Sequence, residues 1–505
     1  MDVARIMSRA QIGLHSPLVH VEVHLGSGLP VFSIVGLAAT AVKESKERVR
    51  SALANSKFDF PSGRITVNLA PADVPKEGGR FDLPIALGML VASGQLKVPE
   101  ASAVLTRCEF YGELALDGEL KSVPGMLLAA AHASRARHEL ILPCADADEA
   151  SVSAPHMVRG ARRLLDVFRH VQGSEELPVH DGRLLTSHRP ASAHFDLLDI
   201  RGQLQAKRAL VVAAAGDHSL LLVGPPGSGK SMLAQRLPGL LPPLSDAEAL
   251  ESAMIVSASA NGFDRSAYGR RPYRSPHHTA SVFAMIGGGS HAGPGEISLA
   301  HRGVLFLDEL PEFDRRTLEA LREPLEMGVV AVSRVAARAE YPAEFQLIAA
   351  MNPCPCGFLG DVSERCECTP GRIAAYRARV SGPLLDRVDL RIAVPTLRPH
   401  ELCEEVPTGP SSAEAAAQVS AARERQLARA GKANARLSVS DLGLYCHLDP
   451  ASERLFWQSQ AQLALSARSY HRTLRVARTI ADLAASEPIR AEHIAEALQL
   501  KRALE

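Results

Sequence analysis

The residues GPPGSGKS at 224–231 carry the most specific chemical signature in the chain. They match the pattern G-x-x-x-x-G-K-[ST] at every fixed position, follow the apolar run LLLV (220–223) and open a predicted helix. In that setting Gly224, Pro225, Pro226, Gly227, Ser228 and Gly229 form a loop whose backbone N–H groups face phosphate oxygens. Lys230 is expected to meet the β- and γ-phosphates of ATP, and the Ser231 hydroxyl to bind Mg2+. A second run, GVLFLDEL (303–310), reads as a buried strand ending in two acids. Asp308 is the expected Mg2+ ligand, and Glu309 the group that orients or deprotonates the attacking water. Taken alone the pair also reads as a solvated acidic turn; together with a phosphate-binding loop it reads as chemistry.

Three further positions complete this reading. Asn352 ends the apolar run FQLIAAM (345–351), where a polar side chain can polarise the water or touch the γ-phosphate. A turn cap is the alternative. Arg387, in LLDRVDL (384–390), is a candidate finger that reaches a neighbouring subunit's nucleotide, against a local ion pair with Asp386 or Asp389. In SARSYHRTLRVAR (466–478), Arg468 is expected to reach the γ-phosphate from a helical lid, while Arg475 and Arg478 read as a solvated helix face.

Cys354 and Cys356 are separated from Cys366 and Cys368 by nine intervening residues, as C-x-C followed by C-x-C. Four thiolates at this spacing suit one tetrahedral, structural Zn2+, since four protein ligands leave no position open for catalysis. Unrelated thiols are the alternative. Cys108, Cys144, Cys403 and Cys446 show no spacing and read as ordinary buried residues. His277, His278 and His291 read as polar loop residues rather than a second metal site.

These groups need elements to hold them. The chain has 505 residues, 46% hydrophobic and 22% charged, enough for several domains and a core that needs no disulfides. Lys+Arg and Asp+Glu are both 56, so bulk charge argues for no nucleic-acid partner; one would have to be met by a local patch or an assembled pore. No apolar run approaches the ~18 residues of a membrane helix, and the opening MDVARIMSRAQIGL is no secretory signal. Clustered thiols place the chain in a reducing cytoplasm.

Residues 1–175 mix strands and helices: ITVNL (65–69) is β-rich, Leu83 to Val91 has helical spacing, and Val42, Val49 and Leu53 give another helical face. The polar stretch 176–195 reads as a linker. From 196 to 396 short apolar runs alternate with helices, the pattern of a parallel sheet covered on both faces. From 397 to 505 the chain is Ala- and Arg-rich and helical. The segment 325–345 reads as two β-rich runs around Arg334 and Arg338, a hairpin just before the Asn352 strand.

The phosphate loop, LFLDEL, MNPCPCG, SGPLLDRVDL and SARSYHRTLRVARTIADL together resemble the magnesium-chelatase-like AAA+ ATPases, and among them the competence-associated ComM/YifB family. VFSIVGLAATAVKESKERVRSAL and RITVNLAPADVPKEGGRFDLPIALG are similar to that family too, so the resemblance covers nearly the whole chain. It implies an AAA+ α/β core, a C-terminal helical lid and a homo-hexameric ring. It further implies helicase or branch-migration activity on single-stranded or branched DNA during natural transformation, alongside recombination proteins. Residues 270–303 resemble this clade's helix insert. In related ring motors the hairpin lines the pore, so Arg334 and Arg338 would contact DNA phosphates. A surface hairpin with solvated arginines is the alternative.

The first domain looks like the proteolytic domain of Lon proteases, with a ribosomal S5-like α+β fold. Where those enzymes place a nucleophilic Ser after P-K-[DE]-G this chain has Arg80, and where they place the catalytic Lys it has Leu127. Without nucleophile or amine, acyl transfer is not expected, and the domain is assigned to ring assembly or DNA guidance. Two other classes stay open. A magnesium-chelatase-type metal-insertion motor shares the core but is expected to lack a Lon-like domain; a non-proteolytic remodelling ATPase is the other.

Overall fold

The computed structural model describes residues 3–37, 39–98, 103–180, 182, 195–259, 262–288, 292–333, 338–361, 364–397, 409–463 and 466–501. Alternation shapes its first strands. In Leu18–Gly26 the sequence LVHVEVHLG buries Val19, Val21 and Val23 on one face and leaves the residues between them part-exposed, as a period of two requires. The resulting seven-stranded sheet runs Val31–Val35, Arg64–Ala70, Leu18–Gly26, Val3–Arg9, Cys108–Phe110, Glu139–Pro143, Val158–Ala161. Val3–Arg9, Leu18–Gly26 and Arg64–Ala70 pair antiparallel; the remaining pairs are parallel. The predicted ITVNL strand and Leu83–Val91 helix fall on Arg64–Ala70 and Asp82–Ala92, and Val42, Val49 and Leu53 line the buried side of helix Thr40–Asn55.

Two buried acids organise this domain. Glu109 accepts Arg9 at 2.7 and 2.8 Å and the Tyr111 hydroxyl at 2.5 Å, and lies 2.8 Å from His138 Nδ1. Asp82 accepts Arg48 Nε at 2.6 Å. Arg80 is buried; its guanidinium donates to the Pro124 carbonyl at 2.6 Å and to Gln11 at 3.0 Å, just ahead of the buried Leu127. Helix Met126–Ala136 packs on helix Asp246–Ser257 of the next domain, and the contact is polar at its edge. Ser257 Oγ donates to Glu149 at 2.5 Å, and Arg265 to Asp148 at 2.7 Å. The start of the expected linker adheres to the sheet, with His180 N donating to Val158 O at 2.7 Å.

The second sheet has five parallel strands in the order Tyr273–Arg274, Val304–Leu307, Gln346–Met351, Leu220–Val223, Leu390–Ala393. LLLV and VLFL are buried along their whole length because helices cover both faces. The chain crosses to opposite sides of Leu220–Val223, which opens a crevice at the strands' C-terminal ends there. The expected hairpin is present as Val329–Ser333 paired with Arg338–Pro342. Buried Val330, Val332, Ala339 and Tyr341 root it in the core, and Tyr341 Oη donates to Ala292 O of the insert at 2.8 Å.

Helices Ser412–Ala430, Val439–Tyr445, Pro450–Leu463, Ala467–Leu483 and Ala491–Gln499 form the C-terminal unit and share one core with the sheet. Several of its polar anchors lie before the strands, while Arg208 with Glu496 at 2.8 Å and Asp196 with the Ser412 amide at 2.9 Å hold it elsewhere. Arg423 donates to Ala214 O and Ala215 O at 3.0 and 3.1 Å, His218 lies 2.8 Å from Thr479 Oγ1, and Arg472 binds Asp389 at 2.5 Å. Among the described residues no hydrogen bond or ion pair joins this unit to 224–231. The helical unit is thus fastened in part at the entry end of the sheet. Arg478, expected in a solvated face, is buried and bound to Asp482 at 2.9 Å; Arg475 is half-buried. Cys144, expected buried, is exposed, and Cys403 lies outside the described residues.

Asp389 ties the two units together. Burial works against its carboxylate, but Arg472, His218 and the Ser219 amide outweigh that and hold its pKa below the ordinary carboxylate value. Asp389→Ala strands Arg472, so it should destabilise by about 3 kcal/mol or more in denaturant unfolding at neutral pH. A depressed carboxylate stabilises above its unfolded pKa, so the gap from wild type should narrow as the pH falls below about 4. For the first domain, the pure protein with ATP should leave casein intact. Cleavage abolished by substitution within 70–130 would overturn the non-proteolytic reading.

Candidate active site

Each phosphate-handling group follows a strand that the sheet places next to the others. Leu220–Val223 delivers Gly224, Val304–Leu307 delivers Asp308, and Gln346–Met351 delivers Asn352. Val223 pairs with Met351, and Leu307 with Ala349, so the three strand ends stand side by side. The loop closes on Gly229, at φ 94°, a left-handed conformation that a side chain disfavours. Helix Lys230–Leu240 starts immediately after, so its unpaired N–H groups and positive end face the loop.

Lys230 is largely buried and donates to Gly224 O at 2.7 Å, Pro225 O at 2.8 Å and Asn352 Oδ1 at 3.2 Å. Burial lowers its pKa, partly offset by Asp308 and Glu309. The ammonium therefore rests on carbonyls that a phosphate would replace. Ser231 Oγ donates to Asp308 Oδ2 at 2.6 Å, which joins the two expected Mg2+ ligands directly. A hydroxyl and a carboxylate at the mouth of a phosphate loop are hard oxygen donors and fit that cation. Glu309, at φ 52°, turns its half-exposed carboxylate outward, where Oε2 lies 3.2 Å from His278 Nδ1. Gln203 braces the loop from behind: its side-chain amide donates to Ser228 O of the loop at 3.4 Å and to Pro395 O at 2.6 Å.

The predicted residues divide into two groups. Lys230, Ser231, Asp308, Glu309 and Asn352 converge at the exit end of the sheet. Arg387 and Arg468 do not join them. Arg387 precedes strand Leu390–Ala393 at the entry end, and it pairs with neither Asp386 nor Asp389. Its guanidinium binds Glu326 and donates to Pro383 O at 2.7 Å. Arg468, half-exposed at the start of its helix, reaches the same Glu326 oxygen at 3.3 Å. Arg468, expected to reach the γ-phosphate from a lid, stands beside Arg387 on Glu326 and not beside 224–231. Sequence reading took His278 only for a polar loop residue and missed Gln203 and Glu326; all three meet these groups only through the fold.

The four cysteines come together. Their sulfurs all lie within 4.8 Å of one another, with Cys354–Cys356 at 3.3 Å, Cys354–Cys366 at 3.7 Å and Cys356–Cys366 at 3.6 Å. Sulfurs around a tetrahedral zinc with ~2.3 Å bonds stand about 3.8 Å apart, so the donor set fits. The Phe358 amide, then the Cys354 thiol, draws the Cys356 thiol down to about 6. The loop also touches the phosphate site: a Cβ on Gly357 would lie 2.6 Å from Pro226 Cδ. Among the described residues no other group has metal-ligand geometry; the rings of His277 and His278 lie 4.1 Å apart, tilted by 34°, and His291 lies outside them. Arg334 also lies outside the described residues, and Arg338 opens the second hairpin strand. Metal analysis of the folded protein should return about one zinc per chain, falling well below half in Cys354→Ser with Cys366→Ser.

Three family models match the chain: "Magnesium chelatase, subunit ChlI" over residues 196–402, "Subunit ChlI of Mg-chelatase" over 21–146, and "Magnesium chelatase, subunit ChlI C-terminal" over 409–501. The match over 21–146 means that the N-terminal domain does not separate this chain from the chelatase group, contrary to expectation. Competence protein ComM of Haemophilus influenzae is 48% identical over 500 residues, 99% of this chain and 97% of that protein. The uncharacterized protein YifB of Salmonella typhimurium is 46% identical over 99% of this chain and 97% of its own length. The magnesium-chelatase 67 kDa subunit of Chlorobaculum parvum is 28% identical over 158 residues, 31% of this chain and 23% of that protein. With relatives this similar along its whole length, the chain belongs to the magnesium-chelatase-like ComM/YifB family.

Proposed function

We propose that this protein is a hexameric ring ATPase that moves along single-stranded or branched DNA and promotes integration of transforming DNA by recombination. The observation that carries the reading is the split of the phosphate-handling groups between the two ends of one sheet. A subunit whose Lys230 and Glu309 face one way and whose Arg387 faces the other completes a pocket only beside a copy of itself. Head-to-tail repetition of such contacts closes a ring.

Within the pocket, Lys230 exchanges the Gly224 and Pro225 carbonyls for the β- and γ-phosphates. Ser231 and Asp308 hold Mg2+, which neutralises charge on the phosphate oxygens when bound. Glu309 accepts the proton of the attacking water, and Asn352, already hydrogen-bonded to Lys230, orients that water against the γ-phosphate. Arg387 and Arg468 of the adjacent subunit stabilise charge on the transferring group. The hairpin holding Arg338 projects from the same core and carries motion to the DNA. Four thiolates at 354, 356, 366 and 368 hold a structural Zn2+ that stiffens the loop after Asn352. The relative in Haemophilus influenzae is named a competence protein, which favours transforming DNA as the substrate. The chelatase descriptions of the matched models favour metal insertion as the second reading. Full-length similarity to ComM and YifB, against a partial match to the chelatase subunit, ranks it lower.

Lys230→Ala and Glu309→Gln should each reduce DNA-stimulated ATP hydrolysis by about 100-fold or more, and Arg387→Ala by a similar factor. Mixing Lys230→Ala with Arg387→Ala subunits should restore part of the activity, since some boundaries then pair two intact halves. No recovery, with intact assembly, rejects the shared pocket. Forked or three-stranded DNA left unbound and unwound while ATP is consumed rejects the DNA motor.

A further inference from the structure

Glu326 takes no part in the mechanism above, yet it holds two of the residues that do. One of its oxygens, Oε1, binds Nη2 of Arg387 and lies 3.3 Å from Nη2 of Arg468. Arg387 has little else. Its side chain is 6% exposed, Nη1 donates to Pro383 O at 2.7 Å, and among the described residues Nε has no partner. The cluster borders a cavity of about 460 Å³ that also receives Arg436, Arg472 and Arg475.

The position of Glu326 in the chain gives this contact a second meaning. It is the penultimate residue of helix Arg322–Met327. Gly328, at φ 68°, turns the chain directly into Val329–Ser333, the first strand of the hairpin. Two residues therefore separate the carboxylate from the element assigned to DNA. A guanidinium occupied by a carboxylate offers the same donors that a phosphate needs, so the two compete for one fork of N–H groups.

We propose that Glu326 is a latch, a positioning residue that holds Arg387 and Arg468 back from the neighbouring subunit's triphosphate until the hairpin engages DNA. Displacement of the hairpin shifts helix Arg322–Met327, withdraws the carboxylate and frees both arginines. DNA contact in one subunit then raises hydrolysis at the next. The latch rests on the reading of Arg387 as a group lent across a subunit boundary. It differs from that reading in what it predicts without DNA, because a ligand shifts an equilibrium only through a contact that distinguishes the two states.

The test compares wild type, Glu326→Gln, Glu326→Asp and Arg387→Ala as full chains. ATP hydrolysis is measured with and without a single-stranded oligonucleotide, with thermal melting alongside. Glu326→Gln should raise the DNA-free rate by about fivefold or more and bring the ratio of stimulated to unstimulated rate close to one. Glu326→Asp, which keeps the charge, should return part of that ratio. Arg387→Ala should be inactive with or without DNA. A Glu326→Gln chain that keeps the wild-type ratio, whether at normal rates or with lowered rate and melting temperature, overturns the latch while an inactive Arg387→Ala upholds the lent arginine. Wild-type activity in Arg387→Ala overturns both.

Discussion

A triphosphate brings several negative charges into one small volume, and a protein must face them with cations and N–H groups from different directions. In this chain a single parallel sheet holds the groups proposed for that task at two opposed ends. Strand exits at 223, 307 and 351 carry the loop, the acids and Asn352, while the turn before strand Leu390–Ala393 carries Arg387. Strand direction makes this separation unavoidable, because all five strands point the same way. One copy therefore cannot bring its own Arg387 to its own Lys230, and the geometry of a single sheet becomes an argument about assembly.

The same constraint explains how the helical unit is used. Helices Ser412–Ala430 and Ala467–Leu483 bury apolar faces against helix Leu204–Gly216, and Arg423, Arg472 and His218 stitch the seam with hydrogen bonds. That seam lies at the strand entries, so the unit carries Arg468 toward the end of the molecule that faces away from its own phosphate loop. The exit end is instead braced by the cysteine loop, where Gly357 lies against Pro226, and by Gln203. Both devices act by close packing: with no room for a side chain at 357, displacement of the cysteine loop displaces the phosphate loop.

Links between domains are local, polar at one contact and apolar at another. Glu149 accepts both the Leu127 amide and the Ser257 hydroxyl, and Asp148 binds Arg265, so the first domain is tied to the helix that leads into the insert. Leu14 packs on the core that roots the hairpin, and a Cβ on Gly13 would meet Ala339 at 2.7 Å. Hairpin, insert and first domain thus share one packed junction. In the first domain Arg80 donates to the Pro124 carbonyl and to Gln11, two residues before Gly13.

Much of this was legible in the chain itself. A phosphate-binding loop needs glycine, lysine and a hydroxyl at adjacent positions, because one turn of backbone makes the whole cradle, so eight consecutive letters identify it. Asp308 and Glu309 are visible for the same reason, at the end of an unbroken apolar strand, and the cysteine pairs announce themselves by spacing. What depends on which face or end of an element meets another was not legible. The helical pattern of Ala467–Leu483 predicts neither the end of the sheet it docks on nor the contact of Arg468 with Glu326, and it assigned the buried Arg478 to solvent. His278 and Glu326 belong to no pattern, being 31 residues before Glu309 and 61 before Arg387 in sequence. Local chemistry is written in neighbouring residues, whose geometry the backbone sets over a few bonds; partnership across tens or hundreds of residues is decided by packing, which only the folded chain contains.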